Sequence, residues 1–176
     1  MSTNDRDLPA IEPTPPGLYR HYKGGWYEVI ATARCSETLQ GMTVYRPLYG
    51  EGGLWVRPAA MFGATGAFAG RVQARFARHD PATVPLADLS TAEALVRYLR
   101  HRAQACGLDL DADLRPPPPR PTTCCGRGCV GCVWEGYYAA LSAWREDALA
   151  LLAAHGTGHA LKTACLAPAA ATDGTG

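Results

Sequence analysis

The chain has 176 residues and a hydrophobic fraction of 47%, enough for one ordinary domain or two very small ones with a real core. Its net charge of +1 gives no bulk attraction to nucleic acid or to an anionic membrane. The basic residues are nearly all arginine, with lysine only at Lys23 and Lys162, so local anion sites remain open. Its longest apolar stretch, Ala148–Ala154, falls far short of the ~18 residues that span a bilayer. The polar Met1–Ala10 stretch does not read as a secretory signal, and a reducing, cytoplasmic setting is expected. Seven cysteines in that setting suggest metal ligands, redox thiols or buried small groups before a disulfide framework.

In chain order, residues 1–16 are polar and proline-rich and predict a disordered leader. Residues 17–80 change texture. Leu18–Tyr22, Trp26–Cys35, Met42–Leu48, Leu54–Arg57 and Val72–Phe76 are short runs of β-branched and aromatic residues separated by glycines, which predicts a five-stranded small barrel. Lys23-Gly24-Gly25 fits a hairpin turn. Tyr27, Val29, Ala31, Ala33 and Cys35 alternate onto one face, as do Val72, Ala74 and Phe76. Pro58–Phe62 predicts one helical turn. Residues 81–108 hold a helix, with Ser90-Thr91-Ala92-Glu93 as a capping box and Gly107 as its stop. Its apolar stripe is Ala92, Leu95, Val96, Leu99, Ala103 and Cys106.

Residues 109–123 predict a linker and the boundary between modules, and Pro116–Pro121 within it an extended stretch with few contacts. Residues 124–156 hold a cysteine cluster and then a helix from Val133 to His155. That helix presents Trp134, Tyr137, Leu141, Trp144, Ala148, Leu152 and His155 on one face, and Gly156 ends it. Residues 157–176 predict a flexible tail. The fold class is therefore α+β: a small SH3-like barrel, then two helices, with the cysteines at the start of the second.

Two sets of residues are candidates for function. If Leu18, Val29, Val44, Leu48, Leu54 and Val56 point inward, the polar and aromatic residues left over are Tyr19, Arg20, His21, Arg46, Tyr49, Trp55 and Arg57. Converging on one face, with the three guanidinium groups near Trp55, they would suit a planar or anionic ligand: arginine forks for hydrogen bonding, an aromatic ring for stacking. The same residues could equally be core, rim and solvated charge. The second set is Cys124, Cys125, Cys129 and Cys132. Cys129-x2-Cys132 is a chelating pair with glycines that let the backbone turn, and Cys125 lies four and seven residues before the two. Adjacent Cys124 and Cys125 point apart in a regular backbone, so a fourth ligand could be Cys124, Cys106, Cys165, His155 or His159.

Gly17-Leu18-Tyr19-Arg20-His21-Tyr22-Lys23-Gly24, Ala33–Thr38, Val44–Gly50, and Leu54–Pro58 with Met61-Phe62 resemble a bacterial family of unknown function, DUF1653. The resemblance implies a small SH3-like barrel and no activity. The family pattern has a histidine where Cys35 stands. From Pro116 to about Ala148, the prolines, the double cysteine, Gly126-Arg127-Gly128-Cys129-Val130-Gly131-Cys132-Val133-Trp134 and Tyr137 resemble the oxidoreductase-like domain family. Cys125-x3-Cys129-x2-Cys132 also has radical-SAM spacing, but the 44 residues that follow are too few for the barrel those enzymes need.

Three functions are weighed. The favoured one is a non-catalytic binding or accessory protein, with a ligand- or partner-binding barrel and a cysteine module holding zinc or an iron–sulfur cluster. The second is a small thiol-redox protein using Cys129 and Cys132, where a helix start would favour the thiolate. The third is a barrel-based enzyme using His21, Glu37 and the arginines, for which no phosphate loop or nucleophile elbow speaks. The cysteines could instead be buried packing residues beneath Trp134.

Overall fold

The computed structural model describes residues 8, 10–122 and 132–156. Its contacts divide the chain into two units, Met1–His79 and Asp80–Gly176.

The first unit is an antiparallel sheet. Strand β1 (Gly17–His21) turns at Gly24, whose φ of 98° only glycine adopts freely, into β2 (Trp26–Arg34). The turn is closed by His21 N–H donating to Gly25 O at 2.8 Å. Then follow β3 (Gly41–Pro47), β4 (Trp55–Pro58), the single turn α1 (Ala59–Phe62), the hairpin β5 (Thr65–Phe68) and β6 (Arg71–Ala74), and β7 (Phe76–His79). The five-stranded sheet has the order β4-β3-β2-β1-β7 and is open, with β4 and β7 as its edges; β5 and β6 form a separate ribbon.

The core of this unit is aromatic. Phe62 and Phe76 stack with centroids 4.0 Å apart and planes 6° from parallel. Tyr19 and Tyr45 meet Phe62 at 5.5 and 5.3 Å, and Tyr27 meets Phe76 edge-on at 5.3 Å. Val29 completes the cluster. Full burial of a side chain such as Phe62 contributes about 2 kcal/mol.

Several expectations are corrected here. A bulge between Val29 and Ala31 breaks the alternation of β2, so Ala31 and Ala33 are exposed rather than continuing the Tyr27–Val29 face. The run Val72–Phe76 is two strands with a break at Arg75, so Phe76 is buried while Val72 is 82% exposed. Leu18, Val29 and Leu48 are buried as expected, but Leu54 and Val56 are exposed, because β4 is an edge with no strand beyond it. Tyr19, expected among the leftover polar set, is core.

Of the expected free leader, residues 10–16 are fixed on the sheet. Thr14 N–H donates to Thr32 Oγ1 at 2.8 Å, and the Thr14 and Thr43 hydroxyls lie 2.6 Å apart. Residues 1–7 and 9 lie outside the described residues.

The second unit contains α2 (Leu89–Ala105), α3 (Leu110–Asp113) and α4 (Val133–Gly156). Asp88, not Ser90, caps α2: its carboxylate accepts from Thr91 N–H at 2.7 Å and from the Thr91 hydroxyl at 2.8 Å. Gly107, with φ 76°, ends the turn that follows. Helices α2 and α4 pack together. Ala92, Leu95, Leu99 and Ala103 on α2, and Tyr137, Leu141, Trp144, Ala148 and Leu152 on α4, are buried at helical spacing. His155, expected on that face, is exposed.

The first part of the expected linker, residues 110–115, includes α3 and is held at several points, and Pro116–Pro121 forms neither helix nor strand. Trp144 Nε1 donates to Arg115 O at 3.0 Å, Arg115 pairs with Asp147 at 3.2 Å, and Leu110 is buried. Among the described residues, no helix is long and apolar enough to cross a membrane.

The cap assignment has a direct check. Asp88→Ala should lower stability by about 1 kcal/mol, whereas Ser90→Ala should change it little. Helical ellipticity followed through urea unfolding of both variants makes the comparison.

Candidate functional site

Cross-strand register divides the sequence-predicted ligand residues between the two faces of the sheet. Arg20 sits opposite Trp26, and Arg46 opposite Glu28, on one face. Trp55 and Arg57 sit opposite Tyr45 and Thr43, on the other face, which also carries His21 opposite Phe76. The three arginines therefore do not converge.

The first two are fully engaged. Arg46 Nε donates to Glu28 Oε2 at 2.8 Å, and Glu28 is only 3% exposed. A carboxylate buried to that degree needs a cation beside it, which gives Arg46 a structural task. Arg20 Nε donates to Gly24 O at 3.3 Å, and its guanidinium lies 5.1 Å from the Trp26 ring centroid. Tyr19 is spent as well: its hydroxyl donates to Pro15 O at 2.9 Å.

The opposite face gathers a different set. His21 lies against Tyr22 at 4.4 Å, Phe76 at 4.7 Å and Tyr27 at 6.4 Å between ring centroids. Its Nδ1 accepts from Lys23 N–H at 3.3 Å, which assigns the proton of the neutral ring to Nε2. Burial holds the imidazole below its ordinary pKa, and the positive charges of Arg75, Lys23 and Arg57 push the same way. Every charged group acting on His21 is thus a cation.

Tyr27 and Tyr49 share a hydrogen bond of 2.6 Å between their hydroxyls. Burial, and then that bond, raise the Tyr27 phenol well above its ordinary value, so Tyr27 stays neutral. Arg75 lies over the Phe68 ring at 5.0 Å, and Phe68 in turn stacks on Tyr22 at 4.7 Å. Trp55 is 61% exposed at the edge of this face. Arg75, Tyr27 and Lys23 are the residues that sequence reasoning missed. The signal for Arg75 was its position beside Phe76, concealed because the break between β6 and β7 was read as one strand.

A cavity of about 740 Å³ lies between residues 10–15, the Leu39–Gly41 turn and α1. Its Tyr19 and Thr14 hydroxyls are already bonded, to Pro15 O and to Thr43, and Glu12 and Gln40 also line it. Near it, Cys35 opens a tight turn in which Leu39 N–H donates to Cys35 O at 2.9 Å. Hydrogen bonds from Thr38 and then Glu37 lower the Cys35 thiol below its ordinary pKa.

Of the cysteine cluster, Cys124, Cys125 and Cys129 lie outside the described residues, as do Cys165 and His159. Cys132 is a free, half-buried thiol immediately before α4, and its carbonyl accepts from Glu135 N–H at 2.9 Å. Cys106, at the C-cap of α2, is disulfide-bonded, and its partner lies outside the described residues. A disulfide sulfur is not a thiolate ligand, so Cys106 is not available to complete a metal site in this form. Among the described residues, no group of three histidines, cysteines or carboxylates is placed to hold an ion.

Residues 17–78 match the family model described as a protein of unknown function, DUF1653. Residues 112–152 match the model described as oxidoreductase-like protein, N-terminal. Among solved structures, a Bordetella bronchiseptica protein belonging to DUF1653 is 35% identical; the match covers 38% of this chain and 87% of that one, with a TM-score of 0.35. No curated protein matches the chain.

The depressed His21 and His79 imidazoles generate a pH dependence. The unfolded chain takes up these protons first, so stability is present above the ordinary value of 6.5 and is lost as pH falls through it toward the folded values. Denaturation midpoints measured from pH 8 to pH 5 should fall, and His21→Gln should shrink the fall without abolishing it, because His79 remains.

Proposed function

For a chain that over residues 17–78 belongs to the DUF1653 family, we propose a non-catalytic binding or accessory role, in which the sheet takes up a ligand or partner and the cysteine segment holds a metal. What carries the first half is the His21 face. It presents two arginines, Arg57 and Arg75, with no carboxylate partner among the described residues, beside exposed Trp55 and Tyr49. Arginine forks next to exposed aromatic rings are the side chains that recognise planar or anionic groups. No nucleophile paired with a base occurs on this face, so binding is the better reading than catalysis.

The donor chemistry of Cys124, Cys125, Cys129 and Cys132 fits a soft metal, zinc or an iron–sulfur cluster. Bound there, the metal would cross-link a segment too short to build its own core, and the chain's part would be to supply thiolates and exclude water. The Cys106 disulfide favours one other reading, a thiol-redox protein in which Cys129 and Cys132 exchange electrons with a dithiol partner.

One experiment separates them. The full chain is purified without oxygen or chelator, its metal content is determined, and its thiols are titrated in wild type and in Cys129→Ser. The metal reading expects stoichiometric zinc or iron, lost in the variant. Metal-free protein with all seven thiols titratable contradicts it. Metal-free protein with a reducible pair of sulfurs supports the redox reading instead.

A further inference from the structure

We propose that His21, Arg57 and Arg75 form a binding site for a phosphate monoester, with Lys23 at its rim. The site rests on the binding role proposed above and gives it a ligand class; the metal content of the cysteine segment plays no part in it.

The case begins with how four other arginines of this unit are used. Arg34 and Arg78 donate to the carbonyls of Leu39 and Pro16, Arg20 to that of Gly24, and Arg46 to the Glu28 carboxylate. Arg57 and Arg75 do none of this. Each has its Nε buried without a hydrogen-bond partner, and neither guanidinium takes part in an ion pair among the described residues. A chain that leaves two buried donors unpaired forgoes a large stabilisation at both positions. Both unpaired groups raise the positive potential at one imidazole, that of His21, and so does Lys23.

The two arginines come from different parts of the chain. Arg57 is on β4, on the same face as Trp55, and Arg75 stands between β6 and β7. They are drawn together because Phe62 and Phe76, five residues and one residue further on, stack on each other. His21 adds a neutral donor. With Nδ1 occupied by Lys23 N–H, its Nε2–H is the hydrogen-bonding atom left over. The Tyr27 and Tyr49 hydroxyls, bonded to each other, lie on the same side.

The surplus of charge decides the class of anion. Arg57 and Arg75, neither in an ion pair among the described residues, together with Lys23 in the turn bonded to His21, call for more than one negative charge. A phosphate monoester, whose second pKa is about 6, is close to dianionic at neutral pH and accepts forked guanidinium bonds. A carboxylate carries half that charge. Trp55 and Tyr49, 61% and 51% exposed, give the body of the ester a surface to stack on.

The test is a titration of the full chain, followed by the NMR signals of its backbone and arginine Nε groups. The probes are inorganic phosphate, phenyl phosphate and benzoate, at constant ionic strength. The site predicts saturable shifts at His21, Lys23 and Arg57, tightest with phenyl phosphate and weakest with benzoate. Arg57→Gln and Arg75→Gln should each weaken phenyl phosphate by about tenfold, and Arg46→Gln should leave it unchanged. Lys23→Gln, at an exposed turn where folding is not at stake, should weaken it several-fold. Unsaturable or uniformly distributed shifts overturn the site, as does binding indifferent to Lys23→Gln and Arg75→Gln. Benzoate binding more tightly than phenyl phosphate overturns the phosphate assignment. Saturable shifts confined to residues 10–15 and α1 overturn it too, while leaving a binding role for the sheet intact.

Discussion

The stack of Phe62 on Phe76 is the contact on which the first unit depends. The two rings are 4.0 Å apart and nearly parallel, and Tyr19, Tyr27 and Tyr45 enclose them edge-on or tilted. Phe62 ends α1 and Phe76 opens β7, so the stack ties the chain leaving one edge strand to the strand at the opposite edge. An open sheet of five short strands has little else to hold its ends together. The stack does that, and Arg57, five residues before Phe62, and Arg75, one before Phe76, both act on the same histidine.

The two faces of the sheet then differ in kind. One face carries cations already spent: Arg46 on buried Glu28, Arg20 on Gly24 O and Trp26. The other carries cations around a histidine held neutral and the hydrogen-bonded Tyr27–Tyr49 pair. The division follows from backbone register alone, because neighbouring residues in a strand point to opposite faces. The arginines of β1 and β3 are thus bonded within the fold, whereas Arg57 and Arg75 keep Nε atoms with no hydrogen-bond partner among the described residues.

Much of this was readable in the sequence. The glycine-punctuated strands, the turn at Gly24, the single turn after Pro58, the end of α2 near Gly107 and the buried stripe of α4 all follow from local pattern. What failed did so where tertiary structure decides. The bulge after Val29 inserts a residue that periodicity cannot foresee, and the break at Arg75 turns one apparent strand into two. The second of these puts Arg75 outside any strand, where register does not fix its side. Ser90 and Asp88 are both good caps, and only the start of the helix at Leu89 chooses between them. Residues 10–16 look like a leader because their anchoring comes from Thr32 and Thr43, which are remote in sequence. The cysteine spacing is a matter of sequence, and Cys124, Cys125 and Cys129 lie outside the described residues.

The central claim is that an aromatic contact, not a charged one, sets the geometry at His21. Phe62→Leu removes the stack and no charge. The measurement is the protonation midpoint of the His21 imidazole, followed by NMR in wild type and in this variant. The account predicts a wild-type midpoint below 6.5 that climbs toward that value when the stack is lost, as Arg57 and Arg75 move away. A folded variant whose midpoint stays at the wild-type value would contradict it.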